Sequence, residues 1–398
     1  MDIVIIGAGL AAAKAAIALR EGGHDGPIMI VGDEEHPPYE RPPLSKDFLM
    51  GKSEFDKAIV EPAEWYAAHD VELLTGRRVE QLIPAKRHVL LDDREVIGYH
   101  KAVLATGARP RVLDIPGAEL ARTLRRVEDS KGLRDAFASS SSVVIIGGGW
   151  IGLEAAAAAR EADVDVTVLE AAPLPLRQAL GDEMAGYFAE LHRGHCVDLR
   201  TSTSVDAIDG TGPFTVSAGG DELEADLVLM GVGAVPNTGL AEEAGLTVDN
   251  GVVVDEHFAT SDPDVLAIGD VARAHNTALG QSVRVEHWDN AIRQGNAVAK
   301  VLLGQDVSYD WQPYFYTDQY DLGMEYVGYS DPSDEVVVRG DTSTGEFIAF
   351  WLDGPKLTAG MNVNIWDVND DIRSLAGRTV DRERLADPDV PLAEVADD

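Results

Sequence analysis

The sequence predicts an α/β protein that is built around two copies of a parallel βαβ unit. A short apolar run that ends in a glycine turn, Val4–Gly9, recurs as Val144–Gly149. Each copy is followed by an alanine-rich helical segment and by a second β-branched run, which is typical of buried parallel strands. With 398 residues, of which 45% are apolar, the chain is long enough for two or three globular domains.

The elements of the two copies follow the same order. The first copy predicts a strand at residues 2–6, a helix at 10–20 and a second strand at 28–31. The second copy predicts the same elements at 143–146, 153–161 and 164–169. The distance between the copies is far greater than the period of a solenoid repeat, so the similarity indicates duplicated domains rather than stacked units.

Small residues occupy fixed positions in both turns: Gly7, Gly9 and Ala12 in the first, and Gly147, Gly149 and Gly152 in the second. The first glycine permits a tight turn, and the second lets a pyrophosphate approach the backbone. The third small residue lets the helix pack closely on the strand. Because the free N–H groups at the start of the helix then face the phosphates, both turns predict a Rossmann-like dinucleotide-binding domain.

An acidic side chain about 20 residues beyond such a turn binds the ribose hydroxyls of a dinucleotide. Asp33 and Glu34 follow the second strand of the first copy, and Glu170 follows that of the second copy. Two complete βαβ units in one chain, each with its glycine turn and its acidic residue, indicate two different dinucleotides. The simplest chemistry for such a pair is hydride transfer from a nicotinamide to a flavin.

The charge and the single cysteine exclude several functions. There are 33 basic and 69 acidic residues, and the net charge of −36 argues against a basic surface for nucleic acid or for anionic membranes. Cys196 excludes a disulfide framework because it is the only cysteine, and the histidines lack metal-ligand spacing, so no metal site is expected. No apolar run reaches about 18 residues and no cationic leader precedes the first strand, which predicts a cytoplasmic protein without a membrane span.

The chain resembles the FAD-dependent pyridine nucleotide oxidoreductases, and within them the NADH-dependent ferredoxin reductases of bacterial oxygenase systems. The resemblance covers essentially the whole chain. It is carried by the motifs at Ile5–Ala11, Pro38–Lys46, Leu104–Ala108, Gly147–Glu154 and Ile268–Ala272. The run Arg41–Lys46 is the most specific of these, because it marks this subgroup rather than the wider superfamily.

The resemblance implies an FAD-binding domain at residues 1–109 and 234–308, interrupted by an NADH-binding domain at 110–233. A C-terminal α+β domain would occupy residues 309–398. The last 18 residues hold seven acidic side chains against two arginines, so this tail is expected to be mobile.

The activity implied by the resemblance is a hydride transfer from NADH to FAD, followed by transfer of single electrons to a small iron–sulfur ferredoxin. That ferredoxin would serve a cytochrome P450 or a ring-hydroxylating dioxygenase. Two alternatives stay open, namely an NADH oxidase that uses oxygen directly and a redox-sensing binding protein of the apoptosis-inducing-factor type. Reduction through a protein thiol is not expected, because no cysteine lies near the start of the chain.

Lys46 and Glu154 are the first candidates for catalysis, since the resemblance places both beside the flavin N5 edge. A reduced flavin tends to be anionic, and a nearby ammonium stabilises it, while a carboxylate holds that ammonium in place. Glu154 is expected in the first turn of its helix, where an anion is favourable. Trp288 is a third candidate, either beside the nicotinamide or where the electron leaves, and the alternative is that it is an aromatic side chain of the core.

Further cofactor residues come from the ends of predicted strands. The resemblance assigns Asp270 to the ribityl chain of FAD and brings Thr106 and Gly107 against the cofactor. Arg41 precedes two prolines that restrict its backbone, and its expected partners are the pyrophosphate or the flavin carbonyls. Gly233 completes the set of cofactor contacts.

Glu170 bears on the choice of coenzyme. A carboxylate at this position accepts a hydrogen bond from the 2′-hydroxyl of NADH and repels the 2′-phosphate of NADPH. Arg177 lies a few positions further on and is the residue that would favour the phosphate. We therefore expect NADH rather than NADPH as the coenzyme.

The segment at residues 77–126 is basic although the whole chain is acidic. It holds eleven basic and six acidic residues, and a local basic surface would steer an acidic ferredoxin towards the protein. The alternative is that these basic side chains pair with carboxylates elsewhere in the fold.

Overall fold

The structure is a computed structural model that describes residues 1–396. The α-helices of this part of the chain are α1 Leu10–Glu21, α2 Ala63–Ala68, α3 Val127–Phe137, α4 Trp150–Glu161, α5 Arg177–Gly194, α6 Gly239–Glu243, α7 Trp288–Leu302, α8 Asn369–Leu375 and α9 Arg382–Ala386. The strands are β1 Ile3–Ile6, β2 Ile28–Val31, β3 Val71–Leu74, β4 Val79–Ile83, β5 His88–Leu91, β6 Val96–Gly98, β7 Lys101–Leu104, β8 Ala108–Pro110, β9 Ser142–Ile146, β10 Asp165–Leu169, β11 Asp198–Arg200, β12 Val205–Gly210, β13 Phe214–Ala218, β14 Asp221–Ala225, β15 Leu227–Met230, β16 Ala234–Pro236, β17 Val252–Val254, β18 Val265–Ala267, β19 Ala272–Asn276, β20 Gln281–Val283, β21 Tyr314–Gln319, β22 Leu322–Gly328, β23 Glu335–Asp341, β24 Glu346–Asp353 and β25 Lys356–Val363.

The chain divides into two compact units. Unit 1 contains residues 1–41, 55–109 and 234–313, and unit 2 contains residues 42–54, 110–233 and the chain from Tyr314 onward. The sequence had grouped residues 42–54 with the first stretch of the chain, whereas their contacts lie in unit 2. Residues 309–313 belong to unit 1, where the buried Tyr309 joins the core and the backbone carbonyl of Trp311 accepts a hydrogen bond from Asn276.

Unit 1 is centred on a five-stranded parallel sheet in the order β18–β7–β1–β2–β3. The four residues of β1 are all buried, which is why this strand reads as an uninterrupted apolar run. Helix α1 packs against α7, and a Cβ at Gly295 of α7 would lie 2.6 Å from the backbone carbonyl oxygen of Ala11. The glycine and the alanine-rich face of α1 therefore let the two helices approach closely.

Unit 2 contains the second parallel sheet, in the order β11–β10–β9–β15. Helix α4 follows β9 and begins at Trp150, three residues earlier than the sequence predicted. Glu154 is therefore the fifth residue of the helix and lies in its second turn. The expectation that a first-turn position stabilises its charge was wrong, and its partners are side chains that are described below.

The C-terminal part of unit 2 is an antiparallel sheet in the order β21–β22–β25–β24–β23, with α8 and α9 beside it. The indole of Trp351 in β24 donates a hydrogen bond to the backbone carbonyl of Leu180, which anchors this sheet to α5. Parallel sheets with an α+β C-terminal part confirm the predicted fold class. No helix within residues 1–396 is long and apolar enough to cross a membrane.

The expectation of a mobile tail was wrong for residues 381–396, while Asp397 and Asp398 lie outside the described residues. Helix α9 and the turn after it bury Leu385, Leu392 and Val395 in the core of the C-terminal part. The carbonyl of Leu385 also accepts a hydrogen bond from the guanidinium of Arg339. The apolar side chains hold the segment in place although its net charge is strongly negative.

Candidate functional site

The first glycine turn leaves space in front of the start of α1. Gly7 has a φ of +109°, and a Cβ there would lie 2.2 Å from the carbonyl oxygen of Ala105, so a larger residue does not fit. A Cβ at Gly9 would meet nothing within 4 Å. Ala12 is fully buried in the core. The packing of unit 1 thus gives no reason for glycine at position 9, and the open space beside the helix N-terminus fits a phosphate group.

The second glycine turn has the same layout in unit 2. Gly147 has a φ of +103°, and a Cβ at Gly152 would lie 2.1 Å from its carbonyl oxygen. Glycine is therefore required at position 152, whereas the first copy accepts an alanine at the equivalent place. A Cβ at Gly149 would have its nearest neighbour 3.7 Å away, and one at Gly233 would meet nothing within 4 Å. This turn also leaves room for phosphate at the start of α4.

The acidic residues of the first copy lie in different surroundings. Asp33 is exposed, whereas Glu34 is partly buried and accepts a hydrogen bond from Arg41 at 2.8 Å and another from the Tyr39 hydroxyl. Tyr39 in turn accepts a hydrogen bond from Arg41 at 2.9 Å. Burial lowers the pKa of Arg41, but Tyr39, Glu34 and Asp270 outweigh burial and raise it. The guanidinium is therefore a fixed positive charge beside the expected ribose-binding acid.

Glu170 fastens the second glycine turn to the end of β10. Its carboxylate accepts hydrogen bonds from the backbone N–H of Gly148 at 2.6 Å and of Ala172 at 2.7 Å. Arg177 pairs with Asp182, and the side-chain hydrogen bond between them raises the pKa of Arg177 and lowers that of Asp182. Arg177 is therefore paired with an acid that lies just beyond the kink at Gly181 in α5.

Three predicted cofactor residues of unit 1 lie at chain reversals. Thr106 and Asn237 exchange two hydrogen bonds, of 2.9 Å from the threonine hydroxyl and 2.8 Å from the asparagine amide, and Gly107 has a φ of +65°. Asp270 follows Gly269, whose N–H donates to the side chain of Gln294 at 2.7 Å. Sequence reasoning missed both amide side chains, since each lies far along the chain from the residue that it supports.

Trp288 is the first residue of α7. Its side chain is half-buried and packs against the core of unit 1. The preceding His287 caps the helix by accepting a hydrogen bond from the backbone N–H of Asp289. The backbone of Trp288 is therefore part of a capped helix, and its indole rests against the core.

Lys46 and Glu154 form a buried ion pair in unit 2. The ammonium lies 2.5 Å from Oε1 of Glu154, and the two side chains are 13% and 4% exposed. Glu154 also accepts hydrogen bonds from the hydroxyls of Ser45 at 2.5 Å and Thr317 at 2.6 Å. Neither hydroxyl was predicted as a site residue. Three donors around one carboxylate compensate for the cost of removing the two charges from water.

The elements around the pair keep its members in position. Lys46 directly follows a 3₁₀ turn, and the carbonyl of Leu44 in that turn accepts a hydrogen bond from the buried Ser130 of α3 at 2.7 Å. The ammonium lies 5.5 Å from the centre of the Tyr316 ring, which adds a cation–π contact. A cavity of 210 Å³ borders the pair and is lined in addition by the exposed Asp318. The pair is thus held by contacts from several elements and borders a cavity, although both side chains are largely buried.

Four residues of the basic segment form ion pairs within unit 1. Arg87 and Lys101 both bind Asp264, at 2.7 and 2.9 Å, and the bond from Lys101 in particular lowers the pKa of this carboxyl group. Arg77 pairs with Asp92 at 3.2 Å and Arg94 with Glu80 at 3.8 Å. For these four side chains, the structure therefore supports the alternative that the basic residues of the segment pair with carboxylates of the fold.

The two sets of glycine turns, each at a helix N-terminus with an acid beyond it, define the class of the protein. Two dinucleotide-binding folds in one chain are typical of a pyridine-nucleotide-dependent oxidoreductase. The C-terminal part at residues 314–396 contains no such glycine turn.

The chain belongs to the pyridine nucleotide-disulphide oxidoreductase family, whose sequence profile matches residues 1–295, and a reductase C-terminal profile matches residues 314–396. It is 37% identical over 406 residues to putidaredoxin reductase CamA of Pseudomonas putida, covering 99% of this chain and 96% of the relative. It is 41% identical over 369 residues to rhodocoxin reductase of Rhodococcus erythropolis, covering 92% and 86%. The crystal structure of a covalent putidaredoxin reductase–putidaredoxin complex superimposes with a TM-score of 0.95 at 36% identity, over 99% of this chain and 97% of the other.

Proposed function

We propose that this protein is an NADH-dependent ferredoxin reductase, which holds FAD and passes electrons from NADH to a small iron–sulfur ferredoxin of an oxygenase system. The observation that carries the proposal is similarity along the whole chain, C-terminal part included, to reductases that are named for such ferredoxins. We also propose that the protein acts in the cytoplasm, where NADH is available.

Residues of unit 1 are proposed to hold FAD, and the open space at Gly9 supports this assignment. The set consists of Gly7, Gly9, Ala12, Asp33, Glu34, Arg41, Thr106, Gly107 and Asp270. Bound FAD supplies the chemistry that the side chains lack, since it accepts a hydride and gives up electrons singly. The assignment of residues 1–109 and 234–308 to FAD, and of 110–233 to NADH, is part of the same proposal.

NADH is proposed to bind in unit 2 at Gly147, Gly149, Gly152 and Gly233, with Glu170 beside the ribose. A carboxylate has about four acceptor positions, and the two backbone N–H bonds of Glu170 leave positions for a ribose hydroxyl. The same charge repels a 2′-phosphate. The bond between Arg177 and Asp182 further supports NADH, because it occupies the arginine that would favour NADPH.

Lys46 is proposed to place a fixed positive charge against the flavin, with Glu154 holding the ammonium in position. The geometry that supports this role is the burial of the pair and the three donors on Glu154. Trp288 is proposed as an aromatic contact for the nicotinamide or for the departing electron. The packing of its half-buried ring against the core of unit 1 supports a defined position for this contact.

Ferredoxin is proposed to dock on a local basic surface that segment 77–126 contributes. The ion pairs of Arg77, Arg87, Arg94 and Lys101 reduce the charge that these four residues present. The other basic residues that the segment contributes to unit 1 are Arg78, Lys86 and Arg109. Charge reversals at several of these should weaken ferredoxin turnover and flatten its salt dependence, and unchanged turnover would contradict the docking proposal.

The decisive experiment is rapid mixing with NADH in the absence of oxygen, followed by mixing with candidate ferredoxins. We expect the flavin absorbance to bleach with NADH and to return as ferredoxin is reduced. Return of the absorbance only on admission of oxygen would indicate the oxidase instead. A long-lived reduced complex that ferredoxin does not discharge would indicate the redox-sensing alternative.

Lys46→Ala tests the role of the buried pair in the same apparatus. Loss of the fixed charge should slow bleaching by NADH at least tenfold, or about 1.4 kcal/mol. Lys52→Ala is the matched control, because Lys52 forms a 2.6 Å pair with Glu161 while its side chain is 53% exposed. Equal rates in the two variants would remove Lys46 from the reaction.

A further inference from the structure

Two buried polar side chains of unit 2 have no role in the sites described so far. His192 on α5 is 0% exposed and Gln319 on β21 is 1% exposed. Thr317, which is also buried, lies two residues before Gln319 and therefore on the same face of the strand. Buried polar groups are almost always hydrogen-bonded, so the partners of these residues reveal what they do.

The partners form one continuous chain that ends at Glu154. The Tyr320 hydroxyl lies 3.2 Å from Nδ1 of His192, and Nε2 of His192 lies 2.8 Å from Oε1 of Gln319. Nε2 of Gln319 lies 3.2 Å from Oγ1 of Thr317. The threonine oxygen lies 2.6 Å from Oε1 of Glu154, the same oxygen that accepts from Lys46.

The chemistry of the groups gives the chain a single direction. A carboxylate only accepts, so the Thr317 hydroxyl must donate its single proton to Glu154. The remaining acceptor position of that hydroxyl is filled by the amide N–H of Gln319. The carbonyl of Gln319 then faces His192 and accepts from Nε2–H. Nδ1 is left without a proton and accepts from Tyr320, so every donor points towards Glu154.

The surroundings of His192 keep this arrangement intact. Burial lowers the pKa of the imidazole to about 4, against a smaller upward effect of the bond to Gln319 and a further lowering by His195. Burial also raises the pKa of Tyr320, so its hydroxyl keeps the proton that it donates. The Tyr320 ring stacks on His195 with centroids 3.6 Å apart, which fixes the outer end of the chain.

We propose that His192 and Gln319 are positioning residues for the Lys46–Glu154 pair. Together they orient the Thr317 hydroxyl towards Glu154, and Thr317 with Lys46 then holds one carboxylate oxygen at a fixed place. The neutral His192 tautomer with the proton on Nε2 is the one that matches the direction imposed by Glu154, and it fixes the orientation of the Gln319 amide. Only the kinetic test of this inference rests on the proposed function. The NMR test does not, because it observes the tautomer of a side chain.

The direct test is nitrogen NMR of the FAD-loaded protein with labelled histidine. We expect His192 to show the neutral Nε2–H tautomer without titrating between about pH 5.5 and 9. The signal is assigned by its loss in His192→Gln. An Nδ1–H tautomer, or titration in this range, would overturn the proposal.

The kinetic test compares two substitutions at the same position. Glutamine carries an N–H donor at a similar distance from Cα as Nε2 of histidine, whereas leucine carries none. Reduction of the flavin by NADH should slow about tenfold in His192→Leu and return to within about twofold of the wild type in His192→Gln, with KM for NADH unchanged. Equal rates in the two variants would contradict the positioning role.

Thr317→Val and Thr317→Ser repeat the comparison one step closer to the pair, which keeps the test open if His192→Leu does not retain FAD. Valine should slow the same step and serine should restore it. Failure of this rescue would overturn the inference. A protein that shows the expected tautomer and both rescues, but reduces no ferredoxin, would instead overturn the proposed function and leave the positioning role in place.

Discussion

Glu154→Gln should destabilise unit 2 by leaving the Lys46 ammonium without a countercharge. The two side chains are 13% and 4% exposed, so the ammonium has little access to water. Removal of one partner from such a pair costs at least about 3 kcal/mol. Unit 2 has about 220 residues, which corresponds to an unfolding entropy of roughly 0.46 kcal/mol/K. The expected fall in Tm is therefore about 6 °C.

Calorimetry of the FAD-saturated protein measures this shift. Glu161→Gln is the matched control, since it breaks the exposed pair with Lys52 and should cost no more than about 0.5 kcal/mol. The double variant Lys46→Met/Glu154→Gln should be no less stable than Glu154→Gln alone, because no unpaired charge remains. A Tm within 1 °C of the wild type for Glu154→Gln, or additive losses in the double variant, would refute the reasoning.

Three other outcomes follow from the structure. Gly9→Val fills the open space at the start of α1 and should weaken FAD binding about 100-fold in a spectrophotometric titration, with secondary structure unchanged. Glu170→Ser removes the charge beside the ribose and should shift the ratio of kcat/KM for NADPH over NADH upward about tenfold. As the pH falls from 6.5 towards 4, the unfolded chain takes up a proton at His192 that the folded chain excludes, so stability should fall by about 3 kcal/mol. Urea unfolding of the wild type and His192→Gln should show this loss in the wild type alone.

The parallel βαβ units were predictable because their signals are local. The strand, turn and helix of each copy are consecutive in the sequence, and a glycine with a positive φ is required at Gly7 and Gly147 by the turn itself. The start of α4 was not predictable from the run Trp150–Gly152, which has no strong helix signal. Its N-cap is Gly149, which has no side chain to cap the helix, so the sequence contains no capping residue that marks the start of α4.

The partners of Glu154 were not predictable, because they are distant in the sequence. Ser45 precedes Glu154 by 109 residues and Thr317 follows it by 163 residues. A threonine in an edge strand has no local signal that distinguishes a buried hydroxyl from a solvated one. The packing of residues 381–396 did have a signal in the sequence, since the apolar residues Leu385, Leu392 and Val395 lie between the acidic ones. Counting charges alone obscured the apolar residues that decide whether such a segment packs.

The two glycine turns show how a duplicated motif acquires different binding properties. In unit 2 the acid Glu170 bonds to backbone N–H groups on both sides and thereby braces the turn itself. In unit 1 the acid Glu34 bonds instead to Tyr39 and Arg41, so a cation is fixed beside the ribose position. Backbone N–H groups leave the negative charge of Glu170 uncompensated, whereas the guanidinium of Arg41 neutralises that of Glu34. On the proposed assignment, the Glu170 site should therefore repel a 2′-phosphate on the bound ribose more strongly than the Glu34 site. The partners of each acid, rather than the glycine pattern, therefore make the local charge at the two turns different.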